Sequence, residues 1–248
     1  MFVDYSAGSF FALSKEKLDD CLIELGKHFR KQYNKKAEAE IILIGGASVL
    51  INYDFRNAST DADAIIQANA SMRDSINHVR DKFGLPHGWL NEDFKNTKSY
   101  TPKLRNIATH YRTFSNVLKV MTVKDEYLIA MKAMSGRRYK FDLSDIVGIL
   151  WEHFKNGEPI TRQMIDNAIA LLYGKQEIPA VSKQLLDDAF ASGNYEGIYN
   201  EVRVQEQRAK KQLLEFADKY PNAANEDNTN EILDAIMRQT GGVRSDNI

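Results

Sequence analysis

Cysteine is nearly missing from this chain: Cys21 is the single one among 248 residues. An internal disulfide and any cysteine-based zinc site are thereby excluded, and a reducing compartment, the cytoplasm, is the expected location. No apolar run approaches the roughly 20 residues that cross a bilayer, so no membrane association is expected. The N-terminal stretch MFVDYSAGSFFALSKEKLDD has no basic flank before its short apolar run, which argues against a secretory leader. An excess of either charge is missing too. Lys and Arg total 33 and Asp and Glu 34, for a net charge of -1, which excludes binding of nucleic acid by bulk positive charge but leaves a local basic track open. His28, His78, His87, His110 and His153 are scattered, with no pair at metal-ligand spacing, so none is assigned a ligand role. With 43% hydrophobic residues and five prolines, what remains is an ordinary globular chain, long enough to bury a core without staples.

Hydrophobic spacing divides the chain into an α/β part and a helical part. Leu18, Leu22, Leu25 and Phe29 form one stripe, which predicts a helix over 14–33 with Ser14 as its N-cap. The basic end of that helix (Lys27, His28, Arg30, Lys31, then Lys35 and Lys36) reads either as cations complementing the helix dipole or as a track for an anionic polymer. Ile41, Ile42, Leu43 and Ile44 predict a buried strand ending at Gly45-Gly46, then a helix over 47–53 and a second strand over 61–68. A helix is predicted over 71–83, a loop over 84–101 and strands within 111–123. From 124 onward the pattern is almost all helical: 124–135, 143–154, 161–173, 182–191, 195–220 and a short last helix before a frayed tail. The division expected is 1–160 for the α/β part and 161–248 for the helical C-terminal region.

The chemistry concentrates in IILIGGASVLINYDFRNASTDADAII. A buried strand runs into two glycines and a helix. Without a Cβ the glycines let a phosphate approach the backbone, and the helix start aims N–H groups at the same spot. Gly-Gly also serves simply to turn a chain. Asp61 and Asp63, two apart on a strand, point to one face about 7 Å apart. They would repel by about 2 kcal/mol at an effective dielectric near 20. They read either as caps at a strand start or as ligands of Mg²⁺, which takes one or two carboxylates together with substrate phosphates. Glu38 and Glu40 have the same spacing but sit in a charged lead-in and read as solvated.

The order strand, Gly-Gly, helix, Arg, Ser/Thr, Asp-x-Asp resembles the signature of the nucleotidyltransferase fold of the DNA polymerase beta superfamily, and more narrowly that of the AbiEii-type minimal nucleotidyltransferases. Gly45, Gly46, Arg56, Ser59, Asp61 and Asp63 carry the first motif, with Ala62 where that family has a larger aliphatic residue. In YLIAMKAMSGRRYKFDLSDI, Lys132, Gly136, Arg137, Asp142 and Asp145 carry a second. The resemblance spans about 40–150 and implies a mixed sheet flanked by helices. It implies a transfer of a nucleotide from a nucleoside triphosphate (NTP) to a hydroxyl acceptor. In that reading Asp61 and Asp63 hold Mg²⁺, and Asp61, Asp63, Lys132 and Asp142 form the catalytic set. Gly45, Gly46, Ser48, Arg56, Ser59 and Arg137 bind nucleotide. By the same resemblance the acceptor is RNA such as tRNA, or a protein side chain. The role is that of a bacterial toxin–antitoxin or abortive-infection toxin with a cognate antitoxin protein as partner.

One departure stands out. The full superfamily site uses a third carboxylate on a later strand, and TFSNVLKVMTV contains no Asp or Glu. Either Asp142 or Asp145 takes that part or the site has lost it. In the latter case the protein is a catalytically degenerate nucleotide-binding or protein-interaction module on the same fold. The aromatics Tyr100, Tyr111 and Phe114 are expected to pack the core rather than stack a base, and Trp151 is expected in the core.

Overall fold

The computed structural model of the protein describes residues 12–33, 38–225 and 228–241. Most of the N-terminal stretch read for a leader, Lys35, Lys36 and the tail from Gly242 lie outside the described residues. The architecture is mixed α/β: a five-stranded sheet flanked by helices, followed by a helical C-terminal region.

Helix α1 (Lys15–Tyr33) buries the predicted stripe, and the Ser14 hydroxyl caps it by accepting from the Lys17 N–H at 3.2 Å. Strand β1 (Ala39–Leu43) then enters the middle of the sheet. It runs antiparallel to β2 (Ala62–Ala68), with Leu43 opposite Ala64, and parallel to β5 (Leu118–Thr122). The full order is β3-β2-β1-β5-β4, with β3 (Leu90–Asn91) parallel to β2 and β4 (Thr109–Phe114) antiparallel to β5. Side chains alternate across the pleat. Ile41, Leu43, Ala62 and Ala64 pack with α1 residues and with Val79 of α3 (Arg73–Phe83), whereas Ile42, Ile44 and Ile65 pack towards the later helices. A strand buried on both faces reads as a continuous apolar run, which is why IILI was so legible.

Helix α2 (Gly45–Asn52) leaves the end of β1 directly. A one-turn helix, α4 (Leu104–Ile107), precedes β4. Next come α5 (Asp125–Ser135), α6 (Asp142–Lys155), α7 (Arg162–Tyr173) and α8 (Ala180–Ser192). One apolar cluster joins Ile42 and Ile65 of the sheet, Ile129 of α5 and Ile146 of α6 to Ile165, Leu172 and Leu186 of α7 and α8. The long α9 (Tyr195–Lys219) starts at an Asn194 cap and fully buries only Glu206, Ala209 and Leu213; α10 (Thr229–Gly241) follows.

Three local expectations are corrected. The stretch expected as loop holds β3, which at two residues is too short to show any periodicity. The strand region 111–123 is a hairpin starting earlier, at Thr109, and turning at Ser115 and Asn116, both in the left-handed region that suits a tight hairpin turn. Trp151 is half-buried beneath the Lys155 ammonium, while Trp89 is the fully buried tryptophan, its indole N–H donating to the Ile76 carbonyl at 3.2 Å. Phe114 is in the core, and Tyr111 packs against it and bonds Asp19. Among the described residues no helix is long and apolar enough to cross a membrane.

Candidate functional site

The turn after β1 brings the two halves of the first motif into contact. The Ile44 N–H donates to the Asp63 carbonyl at 3.0 Å, tying the end of β1 to the start of β2. Gly45 then bends the chain at φ +58°, a conformation that L side chains rarely adopt. A Cβ on Gly45 would stand 3.4 Å from Asp63 Oδ2, so the carboxylate lies against the bend itself. A Cβ on Gly46 would fall 2.7 Å from the Ser59 hydroxyl and 2.9 Å from Arg56 Nη2, closer than real Cβ contacts come. Gly45, Gly46, Arg56, Ser59 and Asp63 therefore occupy one place. It is the N-terminal end of α2, which no side chain caps and whose first turn carries no acid. The first N–H groups of a helix and the positive end of its dipole favour an anion, so that end is suited to one.

Asp61 sits just before β2, its Oδ1 accepting from the Thr60 hydroxyl at 3.2 Å. The chain bends at Asp61, so strand alternation does not set its direction, but its charge acts on the Asp63 carboxyl, which places the two acids near each other. Burial, and then the Asp61 charge, push the Asp63 carboxyl up to about 6; Lys140, Arg137 and Lys132 pull the other way. Asp63 is thus an acid whose ionisation is disfavoured by burial and by a neighbouring acid, with cations around it. Among the described residues no group of three or more His, Cys, Asp or Glu side chains is placed to hold a metal ion. Two carboxylates with open positions beside an anion seat suit Mg²⁺ completed by substrate oxygens, the arrangement this hard cation favours.

The second motif lies behind the first as a buried ion-pair network. Lys132 on α5, only 4% exposed, donates to Asp142 Oδ1 at 2.8 Å and pairs with Asp145 Oδ2 at the same distance. Arg137 Nε donates to Asp142 Oδ2 at 2.8 Å, and Arg56 Nη1 donates to Asp145 Oδ2. Burial opposes ionisation of Asp142, yet Arg137 and Lys132 outweigh it and hold its carboxyl far below the usual range. Burial likewise opposes the charge on Lys132, and Asp142 and Asp145 outweigh it. The network is continuous from Arg137 through Asp142, Lys132 and Asp145 to Arg56, so it fixes the guanidinium that lies against Gly46. Asp145 Oδ1 is buried with no hydrogen-bond partner.

Not every expected residue joins the cluster. Ser48 is fully buried: its hydroxyl bonds Thr122 Oγ1 at 2.5 Å and accepts from the Val123 N–H at 3.1 Å, which pins α2 to the end of β5 and turns the side chain away from the phosphate seat. Arg30, from the basic end of α1, bonds the Ser115 carbonyl, and elsewhere on the surface Arg112 pairs with Asp19, Lys119 with Glu40 and Arg138 with Asp234. The cations whose charge reaches Asp63 are Lys140, Arg137 and Lys132.

The helix expected over 195–220 is present as α9, but its part at the site was not expected. Glu206, 1% exposed, receives the Leu143 N–H at 2.9 Å and the Ser144 N–H at 3.3 Å, capping the start of α6 beside Asp142 and Asp145. Burial, then the nearby Asp145 and Asp142 charges, push its carboxyl up to about 8, against the opposing Ser144 and Leu143 bonds. Arg203 and Lys210, each about one turn from Glu206 on either side, flank Phe141. The 203/206/210 spacing was visible in the sequence, but a charged stripe on a helix is ordinarily solvated.

A family model described as "Nucleotidyltransferase of unknown function (DUF6036)" matches residues 20–153. No curated protein and no solved structure was found to match the chain. The matched span holds β1 to β5, the glycine bend, both aspartates and the ion-pair network, and covers more than half of the chain. The chain belongs to the family of nucleotidyltransferases of unknown function (DUF6036).

Proposed function

We propose that the protein transfers a nucleotidyl group from an NTP to a hydroxyl acceptor in a Mg²⁺-dependent reaction. The observation that carries this reading is the approach of Asp63 Oδ2 to the glycine bend, which makes the anion seat and the carboxylate pair a single site. In this reading Asp61 and Asp63 hold the ion, and the N–H groups at the start of α2, the Ser59 hydroxyl and the Arg56 guanidinium hold phosphate. When bound, Mg²⁺ supplies Lewis-acid stabilisation of the charge on phosphate oxygens. The acceptor oxygen forms a bond to the α-phosphorus as the bond to the β-phosphate bridging oxygen breaks. Pyrophosphate leaves with that electron pair, and the hydroxyl proton passes to solvent. Arg137 and Lys140 offset negative charge near Asp63, while Lys132, Asp142 and Asp145 act as positioning residues that fix Arg137 and Arg56. The likeness to AbiEii-type enzymes supports an RNA acceptor such as tRNA, or a protein side chain, and a toxin role opposed by an antitoxin.

A second reading has its own support. Strand β5 carries no acid, and both later candidates, Asp142 and Asp145, are already paired with cations. On that ground the protein is a nucleotide-binding module without turnover. Incubation with α-labelled NTPs, Mg²⁺, cellular RNA and cellular protein separates the two. Label transferred by the wild type and lost in Asp63→Asn supports the transferase. Nucleotide binding by calorimetry with no transfer to either pool supports the module.

A further inference from the structure

Helix α9 lies beyond the matched stretch, yet it reaches the site. Phe141, at the start of α6, adopts φ +62°, a left-handed conformation that strains a bulky residue by roughly 1 kcal/mol or more. Three cations gather on its ring. Arg203 lies 3.7 Å from the ring centroid, Lys210 5.8 Å and Arg56 6.0 Å. Arg56 is the guanidinium that touches the Gly46 position at the phosphate seat. Two cations from α9 therefore converge, through one aromatic platform, on the same anion seat as the first motif.

Arg56 is matched by Asp145, but Arg203 meets a ring and, at 3.4 Å, the Ser144 hydroxyl rather than a carboxylate. Glu206, the acid between Arg203 and Lys210, is engaged in capping the start of α6, and its environment favours the neutral form at pH 7. Lys210 feels burial first, then the repulsion of Arg56, Arg203 and Lys140, with Asp61 attracting it. Its ammonium is thus within electrostatic reach of Arg56, which lies against the glycine bend, and of Asp61. A fold that holds several cations together against their repulsion is relieved by a multivalent anion.

We infer that Arg203 and Lys210 bind the terminal phosphates of the nucleotide, the part that leaves as pyrophosphate, so that α9 completes the nucleotide site. This rests on the nucleotidyltransferase reading. The terminal phosphates fit better than an RNA acceptor because both side chains share the Phe141 platform with Arg56, which is already at the glycine bend.

Calorimetry on the full chain with Mg²⁺ and inorganic pyrophosphate tests the inference without knowledge of the base. Wild type should bind. Arg203→Met and Lys210→Met should each weaken binding roughly tenfold and the pair more, the scale of losing one charge-assisted contact. Arg203→Lys should recover part of the loss. Thermal unfolding of each protein identifies a fold defect, and Lys210→Gln serves as the milder variant where Met disturbs packing. Pyrophosphate affinity equal to wild type in the folded variants overturns the inference and leaves the nucleotidyltransferase reading standing. So does a loss confined to RNA binding, which would assign α9 to the acceptor. A wild type that binds neither pyrophosphate nor any NTP overturns both.

Discussion

Replacing Asp63 by Asn should make the protein more stable in the absence of metal while removing metal binding. The Asp63 carboxyl is displaced from 3.8 to about 6 by burial and by Asp61. A raised carboxylate pKa means that folding opposes ionisation. The favourable contribution of the protonated form is fully present below about pH 4 and is lost as pH rises through about 6. Two units correspond to about 3 kcal/mol, which partial solvent contact of the carboxyl reduces to about 1–2 kcal/mol above pH 7. In a chain of this length that is roughly 2–8 °C in melting temperature. The assay is urea unfolding of wild type and Asp63→Asn in a chelating buffer between pH 4.5 and 8. The variant should gain on the wild type as pH rises and level off above 7. Mg²⁺ should then stabilise the wild type alone and narrow the gap, since an ion that binds only the native state adds to its stability. A variant equal to or weaker than wild type at pH 8 without metal would show that the two carboxylates do not destabilise each other, and the reasoning would fail.

Two further outcomes follow from the buried charges. Lys132→Met leaves Asp142 and Asp145 buried with one cation fewer between them, and should destabilise the fold by about 3–5 kcal/mol, read from urea midpoints at pH 7; a change below about 1 kcal/mol would mean the network does not hold as described. Glu206 has a folded pKa raised to about 8, so its contribution is present at low pH and lost as pH rises through 8. Wild type should lose about 2–3 kcal/mol between pH 6 and 8 relative to Glu206→Gln, and parallel stability profiles for the two proteins would contradict the placement of that carboxyl.

The legible parts of the molecule were those where one residue type has one physical use. An uninterrupted β-branched run meeting two glycines marks a buried strand and a tight turn whatever surrounds it. The strand expected from Asp61 starts one residue later, at Ala62, so Asp61 reaches Asp63 from a bend rather than by strand alternation. The approach of Asp63 to Gly45 follows from β1 and β2 being antiparallel neighbours, which the order of motifs implies but does not measure. Charges were visible and their burial was not. Lys132, Asp142 and Asp145 read equally as a surface helix pair, and only packing of α5 against α6 makes them a closed network. Ser48 was drawn to the site by its nearness to Gly46, whereas helical rotation points it at β5. The part of α9 was hidden for a related reason: which face of a charged helix is buried depends on elements far away in the chain, here the start of α6.

The central claim is that Asp61 and Asp63 share a divalent ion with a triphosphate seated at Gly45-Gly46. Electron paramagnetic resonance of Mn²⁺, titrated into wild type, Asp61→Asn and Asp63→Asn with and without a non-hydrolysable NTP, tests it directly. The account predicts that nucleotide tightens Mn²⁺ binding in the wild type and that either substitution abolishes the coupling. Mn²⁺ bound equally well by all three proteins, or indifferent to nucleotide in the wild type, would contradict it.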